Sequence, residues 1–385
     1  MPVINRIAAL SDEMAGWRRH LHAHPEIGFD CHATARFVAE RLRAFGVDEV
    51  HEGVARTGVV AVIRGRADGP AVGLRADMDA LPMPDESGAA WASTVPGRAH
   101  ACGHDGHTAM LLGAAQYLAE TRNFAGRAVL LFQPAEEDGG GGGVMVDEGV
   151  PDRFELREVY ALHNRPGLPE GHVATRAGPI MAAVDDFRLT LTGRGGHAAR
   201  PHEARDPIGP ALAVAQAIRS LPAEADPRAE LRVALTQIEA GTTTNVIPEV
   251  ARLAGTVRSF DAGWRDWAEA RVRAIVEGVA AAHGVTAALD YDRWYPATVN
   301  HPRETAFAAE VARDVVGEAV DLETEPSMGA EDFAYLLEAR PGAYLLVGQG
   351  ETPMCHHPAF DFNDRIAPVG ASLYARLVER ALPAE

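Results

Sequence analysis

Residues 71–79 read AVGLRADMD, a short apolar run that ends directly in two aspartates. The same order recurs at residues 128–137, AVLLFQPAEE, and at residues 159–163, VYALH, where an apolar run ends in acidic or imidazole side chains. Such runs are typical of strands buried in a sheet, and Val59–Ile63 gives a fourth. They alternate with helical patterns, which are Ile4–Leu21, Ala33–Phe45 and His104–Ala119. This alternation predicts an α/β architecture with a largely buried sheet.

The chain between residues 184 and 295 has a different pattern. Its predicted elements follow the order βαββαβ, and they are Asp186–Leu191, Ile208–Leu221, Leu231–Ile238, Val250–Val257, Trp264–Ala282 and Thr286–Tyr291. This order is that of the split βαβ or ferredoxin-like motif, so we interpret residues 184–295 as an inserted domain. Patterns of the first kind then return at Glu304–Val316, Ala343–Val347 and Val369–Ala381. The predicted α/β domain therefore has a first part over residues 1–183 and a second part over residues 296–385.

The composition excludes several kinds of function. The 385 residues include 36 basic side chains, all of them arginine, against 54 acidic ones, which gives a formal net charge of −18. Without lysine there is no P-loop lysine for phosphates and no lysine Schiff base. The acidic balance argues against nucleic acid or an anionic membrane surface as a partner. The sequence shows neither a signal-peptide pattern nor an apolar run of the roughly 18–20 residues that span a bilayer, so we expect a cytoplasmic protein.

Side chains that commonly bind metal ions follow the apolar runs. They are Asp77 and Asp79, the group His100, Cys102, His104, Asp105 and His107, the pair Glu136 and Glu137, His163, and the pair His356 and His357. In open α/β sheets, ligands bind beyond the carboxyl ends of the strands, where we expect several of these residues. A thiol combined with imidazoles and carboxylates suits zinc, or manganese and cobalt in sites richer in carboxylate.

Each of these residues also has a simpler explanation when it is taken alone. Glu136 and Glu137 could form a solvated turn or cap a helix, and Asp79 could be a cap as well. His163 could be a hydrogen-bonded turn histidine, and Cys102 could be a small packing residue. The three cysteines of the chain are too few and too scattered for a disulfide framework. The combination of ligand types at strand ends favours a metal site.

Nine stretches in order carry a resemblance to a known family, and they are RRHLHAHPEIGF, LRADMDALPM, HACGHDGHTAMLLGAA, QPAEE, ALHNRPGLPEG, GRGGHAARPH, TNVIPEVARLAGTVRSFD, SMGAEDFAY and HHPAFDFND. The sequence resembles the two-metal amidohydrolases of the aminoacylase and carboxypeptidase family. It is most similar to the branch that holds hippurate hydrolases, N-acyl-amino-acid amidohydrolases and plant auxin-conjugate hydrolases. The resemblance covers nearly the whole chain. It implies a catalytic α/β domain with a central mixed sheet flanked by helices, interrupted by a ferredoxin-like domain for dimerisation and closure over the site.

The resemblance also implies a ligand set for two divalent metal ions per subunit, Mn²⁺ or Zn²⁺, with Co²⁺ or Ni²⁺ as alternatives. The implied ligands are Cys102, His104, Glu137, His163 and His356, with Cys102 bridging the two ions. His357 is the alternative to His356, and relatives that read His-Asn-Pro or His-Ser-Pro favour the first histidine. Other branches begin the site with His-x-Asp, whereas this chain has Asp77-Met78-Asp79.

Further roles follow from the same resemblance. Glu136 corresponds to the general base, and Asp79 to an acid that orients the site. His197 of GRGGH corresponds to a histidine that reaches the partner subunit's active site, although alone it would be read as a turn histidine. Asn245 and Arg258 correspond to residues that hold the substrate's α-carboxylate, and Gly329 to one that offers its backbone to the substrate. Arg258 could otherwise be a surface charge on a strand.

The expected activity is hydrolysis of the amide bond of N-acyl-L-amino acids by a homodimer or a dimer of dimers. A dipeptidase or carboxypeptidase activity of the same two-metal site is the alternative. Two readings of other kinds stay open, which are a Cys102 nucleophile with His104 as its base, and a non-catalytic metal-binding protein on this fold. The i, i+2 spacing of Cys102 and His104 does not obviously bring the imidazole to the sulfur, and a pure binder has no need of Glu136.

Overall fold

The structure is a computed structural model that describes residues 3–384. The helices of this range are α1 (Asn5–Ala8), α2 (Ser11–Ala23), α3 (His32–Phe45), α4 (His104–Thr121), α5 (Gly141–Asp147), α6 (Val150–Arg153), α7 (Ile208–Glu224), α8 (Ala262–His283), α9 (Pro302–Val316), α10 (Phe333–Ala339) and α11 (Ala367–Ala381). Its strands are β1 (Glu49–Val54), β2 (Gly58–Arg64), β3 (Ala71–Asp77), β4 (Arg127–Gln133), β5 (Leu156–Pro166), β6 (Val173–Ala174), β7 (Gly178–Met181), β8 (Ala183–Thr192), β9 (Gly196–His197), β10 (Arg232–Ala240), β11 (Val246–Ile247), β12 (Val250–Ser259), β13 (Thr286–Arg293), β14 (Thr298–Asn300), β15 (Val320–Asp321) and β16 (Gly342–Gly350).

The residues form two compact units, and the first contains the large sheet. This unit comprises the described chain up to Ile180, then Val299–Glu325, then the chain from Asp332 onward. Its eight strands have the order β1-β2-β4-β3-β5-β16-β6-β15. The pairs β4–β3, β3–β5, β5–β16 and β6–β15 are parallel, whereas the pairs β1–β2, β2–β4 and β16–β6 are antiparallel. The predicted mixed central sheet is therefore confirmed.

The core of the first unit explains why its apolar runs became strands and helices. Every residue of β3 is buried, as expected for a strand covered on both faces. Helix α4 is buried over most of its length and packs against α2, α3 and α11. A helix that is apolar on nearly all sides must lie inside the fold, and this position holds its first turn firmly at the edge of the sheet.

The second unit comprises Met181–Thr298 together with Pro326–Glu331. Its four-stranded antiparallel sheet has the order β10-β12-β8-β13, and helices α7 and α8 pack on it. Residues of β8 alternate between buried and more exposed positions, which is the pattern of a strand with one covered face. Apart from the two-residue strands β9 and β11, the elements follow the predicted order βαββαβ. The prediction of a separate, smaller antiparallel domain is confirmed.

Several local features differ from the sequence-based expectation, and three of them bear on the fold. The helix expected over Ile4–Leu21 is two helices, α1 and α2, because the Ser11 hydroxyl donates to the Ala8 carbonyl at 2.6 Å and the chain turns there. Strand β1 was not predicted, since its charged sequence EVHEGV is that of an edge strand, paired only with β2 in the described sheet. Pro326–Glu331, which we expected in the second part of the α/β domain, clusters with the other unit.

No helix among residues 3–384 combines the length and the apolar character that crossing a bilayer would require.

Candidate metal centre

In the first unit, the side chains that could bind a metal ion lie at or after the ends of neighbouring parallel strands. Asp77 ends β3, Glu136 and Glu137 follow β4, and His163 lies near the end of β5. Because these strands are parallel and adjacent, their carboxyl ends meet at one edge of the sheet. Helix α4 begins at the same edge with His104, directly after Cys102, and the loop after β16 supplies His356.

The possible ligand atoms form overlapping groups. Those of Cys102, His104 and His163 all lie within 4.8 Å of one another, and so do those of Cys102, Glu137 and His356. A third such group joins His104 with Glu136 and Glu137. The Cys102 thiol belongs to both of the first two groups.

The surroundings of the His104 imidazole show whether these residues fit a metal ion. Its Nε2 atom is buried and makes no hydrogen bond to any described residue. Carboxylate oxygens of Asp77, Glu136 and Glu137 stand 3.8 to 3.9 Å from that nitrogen, beyond hydrogen-bonding distance. Two ligands of one tetrahedral zinc ion, each about 2.0–2.1 Å from it, are about 3.4 Å apart. The spacing and the buried nitrogen both fit an ion between these groups, so the residues present suit a metal centre.

The buried carboxylates of the cluster also favour a positive charge at this position. Burial disfavours the charged form of His104, yet the carboxylates of Asp77 and Asp79 outweigh it and raise the pKa of this imidazole to about 10. Burial opposes ionisation of Glu137 too, but its hydrogen bond to His356 and the charge of His104 lower the pKa of this carboxyl. Metal ligands must be deprotonated, so binding of a metal here would release the proton that His104 otherwise holds.

The orientation of His163 leaves one nitrogen available. Its Nδ1 donates to the Asn164 carbonyl at 2.7 Å, and its Nε2 then faces Cys102 Sγ at 3.4 Å. Burial lowers the pKa of His163 well below its ordinary value, which keeps the imidazole neutral. A neutral imidazole fixed through one nitrogen is the usual form of a metal-binding histidine.

Asp79 holds the two glutamates in place. Its carboxylate oxygens accept the backbone N–H groups of Glu136 and Glu137, each at 3.1 Å. The preceding residue, Ala135, has φ +58, a left-handed backbone that is unusual for alanine and turns the chain sharply after β4. Asp79 therefore fixes the backbone of both glutamates, and its carboxylate also lies 3.3 Å from His104 Nδ1.

His107, one of the side chains of the HACGHDGH stretch for which no individual role was predicted, is part of a buried chain of hydrogen bonds. His107 Nδ1 lies 2.6 Å from Asp77 Oδ1, and its Nε2 lies 2.7 Å from Asn164 Oδ1. Asp77 in turn accepts from Arg75 at 2.7 Å. The aspartate that replaces the histidine of other branches is thus bonded to a histidine from α4. His104 and His107 are three positions apart and therefore lie on the same face of α4. This spacing was the sequence signal that could have predicted that His107 lies beside the candidate site.

The structure distinguishes between the two histidines of the last loop. His356 Nε2 lies 3.2 Å from Glu137 Oε1, whereas His357 belongs to none of the ligand groups formed by the described residues. His356 has φ +65, so its backbone adopts the left-handed conformation that few non-glycine residues take. Strain of this kind is commonly kept where a side chain must point in one direction.

The remaining predicted residues lie in the second unit. His197 of β9 pairs with Val246 of β11, and the Ala198 N–H donates to the Asn245 carbonyl at 3.1 Å, so His197 and Asn245 are neighbours. Arg258 of β12 donates from Nη1 to the Met328 carbonyl at 2.8 Å, directly before Gly329. This unit therefore brings these residues together in two pairs.

The cysteine-nucleophile alternative finds little support in this geometry. A reactive thiol needs a lowered pKa, whereas the neighbouring Cys355 thiol and burial raise the pKa of Cys102 well above its ordinary value. The imidazole at 3.4 Å from the sulfur is that of His163, which was not the expected partner.

Comparison with known proteins agrees with the fold and the site. The model of "Peptidase family M20/M25/M40" matches residues 73–380. A thermostable carboxypeptidase of Saccharolobus solfataricus is 40% identical over 384 residues, covering 97% of this chain and 96% of that protein. The hippurate hydrolase of Campylobacter jejuni is 35% identical, covering 99% of this chain and 100% of that one. The crystal structure of Bacillus subtilis YXEP, a dinuclear metal-binding peptidase of the M20 family, has a TM-score of 0.84 at 33% identity, with 97% and 99% of the two chains covered. This chain therefore belongs to peptidase family M20/M25/M40, in its amidohydrolase branch, and is a metal-dependent hydrolase of amide bonds.

Proposed function

We propose that this protein hydrolyses N-acyl-L-amino acids to a carboxylic acid and a free amino acid, with two Mn²⁺ or Zn²⁺ ions in each subunit. The observation that carries the proposal is the pair of adjacent glutamates. Glu137 lies among the ligand atoms of Cys102 and His356, and Glu136 is buried beside His104. This arrangement supports Glu137 as a metal ligand and Glu136 as the group that moves a proton.

The divalent ions, when bound, would polarise the scissile carbonyl and lower the pKa of the attacking water. In this scheme Glu136 takes the proton from that water and later delivers it to the departing amine nitrogen. Asp79 keeps Glu136 in position through the backbone hydrogen bond at 3.1 Å. The residues that would hold the ions are His104, His163, Cys102, Glu137 and His356.

The first experiment is the Glu136→Gln variant, which keeps the shape of the side chain and removes its basicity. We expect turnover to fall by about 10²–10⁴-fold, the usual contribution of a general base, with normal metal content. The matched control is Asp138→Asn, a neighbouring exposed carboxylate, which should keep wild-type turnover. Near-normal activity of Glu136→Gln would remove this glutamate from the mechanism, and metal binding without any turnover by the wild type would favour a non-catalytic protein.

The substrate class is proposed from the relatives and from Arg258. Four relatives are named as a hippurate hydrolase, an N-acetyl-L-cysteine deacetylase, an IAA-amino acid hydrolase and a carboxypeptidase. Each name describes hydrolysis of a substrate amide bond that releases an amino acid with a free α-carboxylate. Arg258 is half-buried and uses one N–H for the Met328 carbonyl, and a guanidinium has five such donors. We propose that Arg258 and Asn245 bind this carboxylate, with the backbone of Gly329 beside them.

The test compares an N-acyl amino acid with its C-terminal amide. Wild type should prefer the acid, and Arg258→Ala should lose about 10–150-fold in kcat/KM on the acid only, as expected for a charge-assisted pair of about 1.5–3 kcal/mol. Arg252→Ala is the matched control, since Arg252 lies on the same face of β12 and is exposed. Equal rates on acid and amide in the wild type would refute the carboxylate requirement. Unblocked dipeptides in the same series test the carboxypeptidase-like alternative, which the 40% identity to a carboxypeptidase favours.

We also propose a homodimer in which His197 completes the partner subunit's site. His197 is exposed, on a short strand pair that carries Asn245 next to it. Mixing inactive His197→Ala with inactive Glu136→Gln protein should restore part of the activity, because a hybrid dimer contains one intact site. Absence of recovery after demonstrated subunit exchange would contradict this arrangement.

A further inference from the structure

A second thiol lies beside the proposed metal-bridging cysteine, and the proposed function gives it no task. Cys355 is half-buried in the loop after β16, directly before His356. Its Sγ lies 3.8 Å from the Cys102 carbonyl oxygen and 3.8 Å from Nδ2 of Asn164. The thiol is thus held against the backbone of Cys102 and the residue next to His163.

The backbone fixes the two cysteines as neighbours although they are 253 positions apart in the chain. The His356 N–H donates to the Ala101 carbonyl at 2.7 Å. This hydrogen bond lies one residue after Cys355 and one residue before Cys102. A disulfide needs two cysteines on closely spaced backbones. The contact of Cys355 Sγ with the Cys102 carbonyl and the His356–Ala101 hydrogen bond bring these two stretches of backbone side by side.

We propose that Cys102 and Cys355 form an oxidation site at which a hydroperoxide converts the two thiols into a disulfide and so removes Cys102 as a metal ligand. The Cys355 thiolate attacks one peroxide oxygen, breaks the O–O bond and becomes a sulfenic acid, with release of water or an alcohol. The Cys102 sulfur then attacks the sulfenic sulfur, the S–S bond forms, and the sulfenic oxygen takes the thiol proton and leaves as water. Two thiols lose two electrons and two protons, and the peroxide is reduced by the same two electrons.

The inference rests on the proposed function in one respect, since Cys102 is a metal ligand only by that proposal. A metal ion on Cys102 would occupy the sulfur lone pairs needed for the second step. We therefore expect bound metal and the disulfide to exclude each other, so that metal loss opens the site to oxidation and oxidation prevents reloading.

The third cysteine is a matched control. Cys31 is fully buried, its Sγ lies 3.2 Å from the Gly28 carbonyl, and burial raises the pKa of this thiol far above its ordinary value. A thiol of that kind is inert towards oxidants. Cys31 therefore lacks the exposure of the half-buried Cys355, the thiol with which the oxidant would react first.

The experiment treats metal-loaded and chelated protein with hydrogen peroxide at high dilution, then alkylates the remaining thiols under denaturing conditions. In chelated wild type we expect two of the three cysteines to escape alkylation, a loss of about 2 Da in the intact monomer, a peptide linking residues 102 and 355, and reversal by dithiothreitol. Metal-loaded protein should form the disulfide more slowly. Reloading of oxidised protein with Mn²⁺ or Zn²⁺, followed by elemental analysis, should fail until it is reduced.

Cysteine variants distinguish a specific Cys102–Cys355 disulfide from non-specific oxidation of the protein. Cys31→Ser should behave as wild type, whereas Cys355→Ser and Cys355→Ala should form no intramolecular disulfide and should still reload metal after the same peroxide dose. Absence of the linked peptide in chelated wild type, or equal loss of reloading in both Cys355 variants, would overturn the inference. Because the disulfide is detected by mass in metal-free protein, this outcome is independent of whether the enzyme hydrolyses N-acyl amino acids.

Discussion

Asp332 offers a direct test of how the sheet edge is held together. Its fully buried carboxylate accepts hydrogen bonds from Arg75 Nη2, Gln133 Nε2 and the Gly142 N–H, each at 2.8 Å. These donors come from β3, β4 and α5, so one side chain joins three elements that surround the candidate metal centre. The perturbation is Asp332→Asn, which keeps the shape and replaces one acceptor oxygen by a donor group.

The expected cost follows from the loss of charge beside a buried guanidinium. Breaking a buried ion pair by removing one partner costs about 3–5 kcal/mol. Arg75 keeps its 2.7 Å contact with Asp77, so we expect the lower end of that range. A loss of about 3 kcal/mol lowers the Tm of a unit of this size by about 6–12 °C.

The assay is calorimetry together with urea unfolding followed by circular dichroism. The relevant transition is the one that a chelator shifts, because the five proposed metal ligands all lie in the first unit. The matched control is Asp314→Asn, whose partner Arg380 is exposed; such a pair contributes only about 0–1 kcal/mol. A decrease in Asp332→Asn no larger than in the control would refute the reasoning.

Two further predictions concern single residues. Gly103→Ala should lose metal binding, measured by elemental analysis. Gly103 has φ +97, and an added Cβ would stand 2.1 Å from Asn164 Oδ1. The control is Gly88→Ala, which is also at positive φ but has nothing within 4 Å of the added atom. Tyr117 should ionise near pH 12 in an ultraviolet titration, since burial and the Glu379 carboxylate at 2.9 Å raise its pKa to about 12. The folded-state pKa is the higher one, so this stabilisation is complete below pH about 10 and declines as the pH rises towards 12. A Tyr117→Phe protein that keeps the same titration curve near pH 12 would contradict this.

The sequence predicted those parts of the molecule that depend on local patterns. The apolar runs at Ala71–Leu74 and Ala128–Phe132 lie inside β3 and β4, because a strand covered on both faces needs continuous apolar residues. The ligand groups were foreseen because carboxylates, imidazoles and a thiol at strand ends are rare in combination. The structure places them together at one edge.

Other features could not be predicted because they depend on contacts between distant residues. The Arg75–Asp332 pair joins positions 257 apart, and no local period marks either residue. Helix α5 contains three consecutive glycines, which disfavour helix by propensity. The structure shows why glycine is needed there, since a Cβ on Gly141 would stand 1.8 Å from the Pro134 carbonyl. The tight approach of two chain segments, rather than propensity, determines this helix.

The position of β16 in the sheet has a consequence for synthesis on the ribosome. This strand, Gly342–Gly350, lies between β5 and β6, yet the whole contiguous body of the second unit is translated before it. Roughly 170 residues lie between the end of β5 and the start of β16. At about 5–20 residues per second, β16 is therefore synthesised about 10–30 s after β5. During that interval the nascent chain holds β5 with one edge lacking its native neighbour, and an open edge is a template for wrong pairing. His356 emerges only after β16, so the last of the proposed ligands becomes available when this exposed edge is closed.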